Sequence, residues 1–249
     1  MRRGNPTWKE EYNSGLEDAI KYFWRTRDEQ SKKQLGRGVK DAGTRGAVTG
    51  GKQLNGLVEM MKEIAIDVGI PENYIYIKGN ALPGYFRPTK DWDFIIVSPE
   101  KHLIACIEFK SQVGSFGNNF NNRVEEALGS SVDIHTAFRD KIFGTQEAPW
   151  IGYMIIVEQT RKSTSKVKIC EPHFKVFKEF YNTSYLDRYK ILCNKLVLER
   201  HYNSACLIWT SLEKNGKITY GTNDKELSFE KFVSSFIGFL LGKISEFQT

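Results

Sequence analysis

Only four cysteines occur in 249 residues, Cys106, Cys170, Cys193 and Cys206, and no two form a C-x-x-C pair. That excludes a disulfide framework or a thiolate zinc site, and four reduced, buried thiols are expected. Histidine is scarce too, and His173 and His201 lack metal-ligand spacing, so both are read as structural. No apolar run approaches the ~18 residues of a membrane span. Met1-Arg2-Arg3-Gly4 leads into Trp8-Lys9-Glu10-Glu11 instead of an apolar signal core, so no export is expected and the chain should be soluble and cytoplasmic. Linker-like tracts and internal repeats are also missing, which predicts one domain over residues 1–249.

What is present is a balance of 40% apolar and 27% charged residues with a net charge of +6. That length and composition suit one large α/β domain. The charge favours a polyanionic partner but says nothing of the fold.

The most informative stretch is Pro88 to Lys110, PTKDWDFIIVSPEKHLIACIEFK. Phe94 to Val97 reads as a buried strand, Ser98 to Lys101 as a turn and Leu103 to Phe109 as a second strand, together a hairpin. Alternation places Ile104, Cys106, Glu108 and Lys110 on one face. Glu108 and Lys110 then stand about 7 Å apart, and Asp93 reaches them if the hairpin pairs in simple register. Two carboxylates and a lysine so placed suit a Mg²⁺ site of phosphodiester chemistry, Asp93 and Glu108 holding the ion and Lys110 steering water. On the residues alone, the alternative is a solvated ion pair at a strand edge.

Upstream, Thr7-Trp8-Lys9-Glu10 has the form of a capping box, and a helix is expected to run on to Gly36. Gly36 to Gln53 holds six glycines with Arg37, Lys40, Arg45 and Lys52. Its Gly46-x₄-Gly51-Lys52 nearly fits a nucleotide phosphate loop, but Gln53 stands where Ser or Thr would bind magnesium. Two readings stay open, a flexible loop or one whose amides and cations, Arg37, Arg45 and Lys52, meet DNA phosphates. The next helix, from Leu54 to Val68, carries Glu59, either a third metal ligand or plain surface charge. Arg87 and Lys90, in the irregular approach to Asp93, are further phosphate candidates.

After Lys110 comes a glycine- and amide-rich segment and a helix expected from about Asn122 to Phe138. Asn118, Asn119, Asn121, Asn122 and Arg123 suit base readout, since Asn can bond adenine and Arg guanine; the alternative is that they build turns and cap the helix. Further on, the pattern predicts a strand over Trp150–Val157, helices over His173–Tyr181 and Tyr185–Tyr202, strands over Ala205–Thr210 and Lys217–Tyr220, and a last helix capped by Ser228.

The chain resembles the XhoI-type family of type II restriction endonucleases, a branch of the PD-(D/E)xK nucleases. The resemblance spans most of the chain: Phe23-Trp24-x-x-Arg27-x-x-Gln30, Asp41-x-Gly43-x-Arg45-x-Ala47-Val48-Thr49-Gly50-Gly51, Phe86-Arg87-Pro88-Thr89-Lys90-x-Trp92-Asp93, Ile107-Glu108-x-Lys110-Ser111-Gln112, Phe116-Gly117-Asn118-Asn119-Phe120-Asn121-Asn122-Arg123, Glu171-Pro172-His173-Phe174 and Leu198-Glu199-Arg200-His201-Tyr202. It implies an α/β fold with a restriction-endonuclease-like core, a central mixed sheet flanked by helices. It also implies a Mg²⁺-dependent homodimer that cuts double-stranded DNA at a palindrome centred on TCGA, CTCGAG, leaving 5′ overhangs. Asp93 and Glu108 would bind metal and Lys110 would be catalytic; Trp92 replaces the proline common before the aspartate. A cognate DNA methyltransferase would be a functional partner, not a stable complex. Two rivals stay open: a structure-selective repair or recombination nuclease with the same chemistry, and a DNA-binding protein without cleavage.

Overall fold

A computed structural model describes residues 7–36 and 51–247, with the side chains of 12–29 and 51–247. The capping box at Thr7 and most of the glycine-rich loop therefore lie outside the described side chains. In chain order the elements are α1 (Thr7–Gly36), α2 (Asn55–Val68), β1 (Ile75–Tyr76), β2 (Ala81–Pro83), β3 (Thr89–Asp91), β4 (Phe94–Val97), β5 (Leu103–Gln112), α3 (Phe116–Arg139), β6 (Trp150–Glu158), α4 (Arg161–Thr164), α5 (Tyr185–Leu198), β7 (Ser204–Leu212), β8 (Ile218–Gly221) and α6 (Phe229–Leu241).

Six strands form one mixed sheet in the order β1-β4-β5-β6-β7-β8. Its centre, β5-β6-β7, is parallel, and β1, β4 and β8 are antiparallel to their neighbours. Helices cover both faces, so the central strands read as near-continuous apolar runs. Alternation sorts the residues of β6: Met154 and Ile156 pack with Phe23 of α1, Met61 and Ile64 of α2 and Phe236 of α6, while Tyr153, Ile155 and Val157 pack with Ala127 of α3 and Leu192 and Leu196 of α5. All five of these β6 side chains are fully buried, each contributing about 1.5–3 kcal/mol. Truncating one, as in Ile155→Ala, should cost about 2–5 kcal/mol.

The cap expected at Ser228 is present. Ser228 Oγ accepts from Lys231 N at 3.2 Å at the start of α6. Trp24 of the Phe23-Trp24 string donates its indole N–H to Thr210 Oγ1 at 3.0 Å, which ties α1 to β7.

Four expectations change. Ile104 packs with Ala105 and Ile107, not with Cys106, because a register shift at Ile96/Val97 inserts an extra residue opposite β4. Helix α3 begins at Phe116, six residues before Asn122, because Phe116 and Phe120 anchor its first turns on Tyr185 and Tyr189 of α5. Residues 173–181 form turns and one 3-10 turn, not a helix. There the Glu171 carboxylate accepts from Val176 N and is bonded by Lys175 and Tyr181, which folds the segment around an acid instead of an i→i+4 ladder. Cys170 is exposed, and the other three thiols are buried and free.

Candidate active site

The β4–β5 hairpin pairs Phe94 with Ile107 and Ile95 with Cys106, which sets Asp93 opposite Glu108. A short β2–β3 ribbon, with Leu82 paired to Lys90, feeds directly into Asp93 and brings a second lysine to the same place. Glu108 is buried, its side chain only 5% exposed, and sits on the α3/α5 side beside Tyr153 of β6. Lys110 Nζ contacts its Oε1, and Lys90 Nζ contacts its Oε2.

Asp93 is fixed from the backbone, since Phe109 N donates to Oδ2 at 2.7 Å. Burial, followed by the charge of Glu108, nevertheless raises its pKa to about 6; the Phe109 bond, Lys110 and Lys90 offset this only in part. Burial also pushes the Glu108 carboxyl up, but Lys110 and Lys90 together outweigh it and hold the group below its ordinary range. Burial pulls Lys110 down, yet Glu108 more than compensates, and the ammonium is held above its usual value. Asp93 and Glu108 thus face two lysines across a partly desolvated centre, and the residual unfavourable charge falls on Asp93.

Behind Lys110 stands Glu126 of α3, 3.9 Å from Nζ, which also accepts from Arg123 Nη1 at 2.5 Å. Arg123 donates through Nη2 to Ser111 O at 3.3 Å, and its side chain is only 13% exposed. The guanidinium expected to read bases here holds α3 against the end of β5. Asn118, Asn121 and Asn122 are exposed and Asn119 half-buried along the first turns of that helix.

Arg87 is likewise engaged. Its Nε donates to Asp133 Oδ2 at 2.6 Å, while Tyr85 N and Phe86 N both donate to Oδ1 at 2.8 Å. A Cβ at Gly84 would lie 2.6 Å from the same carboxylate, so only glycine fits there. Buried Asp133 therefore fixes a ribbon tip that carries Tyr85 and Phe86 outward, the latter 70% exposed.

Glu59 does not join the centre. It lies on the exposed side of α2, and among the described residues no third acid, histidine or cysteine completes a metal-holding group with Asp93 and Glu108. Lys52 is exposed beside the left-handed Gly51, and Arg37 and Arg45 lie outside the described residues. Sequence reasoning missed Glu126 and Asp133. Glu126 had one signal, its place one turn after Arg123 on the helix that follows β5; Asp133 had none, because its partners are the distant Tyr85 and Phe86 amides and Arg87.

A mixed sheet flanked by helices, with one acid opening a hairpin strand and an acid-x-lysine closing the next, defines the restriction-endonuclease-like class of α/β folds. The family model for restriction endonuclease XhoI matches residues 33–222. The chain is 47% identical over 204 residues to the type II restriction enzyme BstVI of Geobacillus stearothermophilus, covering 80% of this chain and 91% of that protein. It is 47% identical over 161 residues to the type II restriction enzyme XhoI of Xanthomonas vasicola (63% and 64%) and 38% identical over 168 to AbrI of Azospirillum brasilense (66% and 75%). No solved structure matches. The chain belongs to the XhoI restriction endonuclease family. Among the described residues, no helix is long and apolar enough to cross a membrane.

Proposed function

We propose that this chain is a type II restriction endonuclease that hydrolyses phosphodiesters of double-stranded DNA at a palindrome, CTCGAG with its TCGA core, leaving 5′ overhangs. It works as a single-domain protomer of a cytoplasmic homodimer and requires Mg²⁺. A methyltransferase protecting the same site would be its functional partner. One observation carries the reading: in a chain of this family, Asp93, Glu108 and Lys110 converge at one end of the hairpin. The site, overhang and symmetry rest on the family resemblance.

The donor set fits a hard divalent cation. Asp93 and Glu108 offer only oxygen, and burial followed by the charge of Glu108 raises the pKa of Asp93, so a cation beside it would favour its ionised form. Those two carboxylates would hold the ion, which when bound would supply Lewis acidity and lower the pKa of water. The remaining work falls to the chain. The barrier to be removed is on the order of 20 kcal/mol. The Phe109 amide orients the Asp93 carboxylate. Lys110, kept protonated by Glu108, acts as a charged donor and not as a base: Nζ orients the attacking water and stabilises charge developing on the phosphoryl oxygens. Glu126 and Arg123 keep Lys110 from swinging away. Outside the centre, Lys52, Arg37, Arg45 and Arg87 are assigned to DNA phosphates, and Asn118, Asn119, Asn121 and Asn122 to the duplex near the cut.

Digestion of a plasmid with Mg²⁺ tests the proposal. Fragment ends should map to CTCGAG with 5′ overhangs. Nicks confined to branched junctions would instead indicate a structure-selective nuclease, and tight, metal-indifferent binding without cutting a DNA-binding protein.

A further inference from the structure

Lys90 is the charge in this centre with no place in that mechanism. It comes from the β2–β3 ribbon, not from the catalytic hairpin, and its side chain is only 11% exposed. Its Nζ lies on Glu108 Oε2, 3.0 Å from Asp91 O and 4.2 Å from the centre of the Trp92 ring. Glu108 thereby has a lysine on each oxygen, Lys110 on Oε1 and Lys90 on Oε2. The lysines differ in their surroundings. Lys110 is held additionally toward Glu126, whereas Lys90 stands on an aromatic face and a single carbonyl, at the base of an exposed tip.

We propose that Lys90 is a tethered counter-ion that occupies Glu108 in the metal-free enzyme and moves to a DNA phosphate when a divalent cation takes Glu108. The inference rests on the endonuclease reading above. A cation on Asp93 and Glu108 and an ammonium on the same Glu108 oxygen repel one another at contact distance. The freed lysine carries a four-carbon stem, so its ammonium can reach outward from Trp92 while the stem stays over the ring. Duplex DNA beside the centre presents phosphates that recruit such a cation. Lys90 is therefore a positioning residue that links two binding events. Metal releases it toward DNA, DNA holds it away from Glu108, and by reciprocity each ligand raises affinity for the other.

The test uses the full chain with Ca²⁺ as the metal and a CTCGAG duplex, so that binding is read without cutting. Lys90→Gln should bind Ca²⁺ without DNA at least tenfold more tightly than wild type, because nothing competes for Glu108. In Ca²⁺, the slope of log affinity for DNA against log salt should fall by about one unit, as expected for one phosphate contact; in EDTA it should not change. Lys90→Arg, which keeps the charge and can grip a carboxylate through two N–H groups, should bind Ca²⁺ no more tightly than wild type. In wild type itself, the Lys90 ζ-ammonium resonance should shift on adding Ca²⁺, a readout that does not depend on a variant folding. Ca²⁺ affinity of Lys90→Gln within twofold of wild type, an equal loss of salt slope in EDTA, or an unmoved ζ resonance would each overturn the proposal. Wild-type protein that binds neither Ca²⁺ nor the duplex would overturn the endonuclease reading itself.

Discussion

Replacing Asp93 by Asn should make the metal-free protein more stable while abolishing cutting. The carboxyl titrates near 6 in the folded protein against 3.8 in an open chain, chiefly because it is buried and then because Glu108 repels it. Between about pH 4 and 6 the folded state binds the proton that the unfolded state has released, so stability falls as pH rises through that window and the full cost applies above it. At 1.36 kcal/mol per unit the cost is roughly 2–3 kcal/mol, with the lower end favoured because Asp93 is partly exposed. Asn removes the charge and keeps an oxygen that can accept from Phe109 N. In a chain of this size the gain corresponds to a Tm rise of about 5–10 °C at pH 8 in EDTA. The difference from wild type should shrink toward pH 4, and Ca²⁺ should stabilise wild type far more than the variant. An unchanged or lowered Tm at pH 8, or a gap independent of pH, would refute the charge assignment.

Arg123→Ala should cost about 1–3 kcal/mol of stability, because Glu126 and Ser111 O lose their partner, and should leave discrimination between the cognate duplex and single-base variants intact; a stable variant that loses discrimination would restore Arg123 to base readout. Asp133→Ala frees Arg87 and two backbone amides at once, and about 2 kcal/mol should be lost, with new proteolytic cleavage near residues 84–88; unaltered Tm and protease resistance would contradict the anchoring role. Light scattering should give twice 28.6 kDa, since a palindrome presents two equivalent half-sites to a twofold dimer; a monomer both free and on DNA would exclude it.

The β4–β5 hairpin was legible because its signal is local. An apolar run bounded by charge, a Ser98-Pro99 turn and a second apolar run admit few alternatives, and the proximity of Asp93, Glu108 and Lys110 follows from pairing alone. The start of α3 was not legible. Gly117, Asn118, Asn119, Asn121 and Asn122 are weak helix formers, and packing overrode propensity there; the helical spacing of Phe116, Phe120 and Val124 was the signal in the sequence. Phe174, Phe177 and Tyr181 gave the opposite error. Their spacing mimics a helix face, yet all three are exposed because Glu171 organises the loop. Apart from Glu126, one turn after Arg123, the side-chain partners of Lys90, Arg87 and Arg123 lie 12–46 positions away, at Glu108, Asp133 and Ser111. No pattern along one chain reveals such distant pairs, which is why the contacts these cations make within the protein were not foreseen.

The central claim is that Lys110 acts with Asp93 and Glu108 in one hydrolytic centre. Single-turnover cleavage of a CTCGAG duplex in Mg²⁺, comparing wild type with Lys110→Ala, tests it most directly. The rate should fall by about 10²–10³-fold or more while binding in Ca²⁺ persists. A Lys110→Ala variant that cuts at close to the wild-type rate would contradict it.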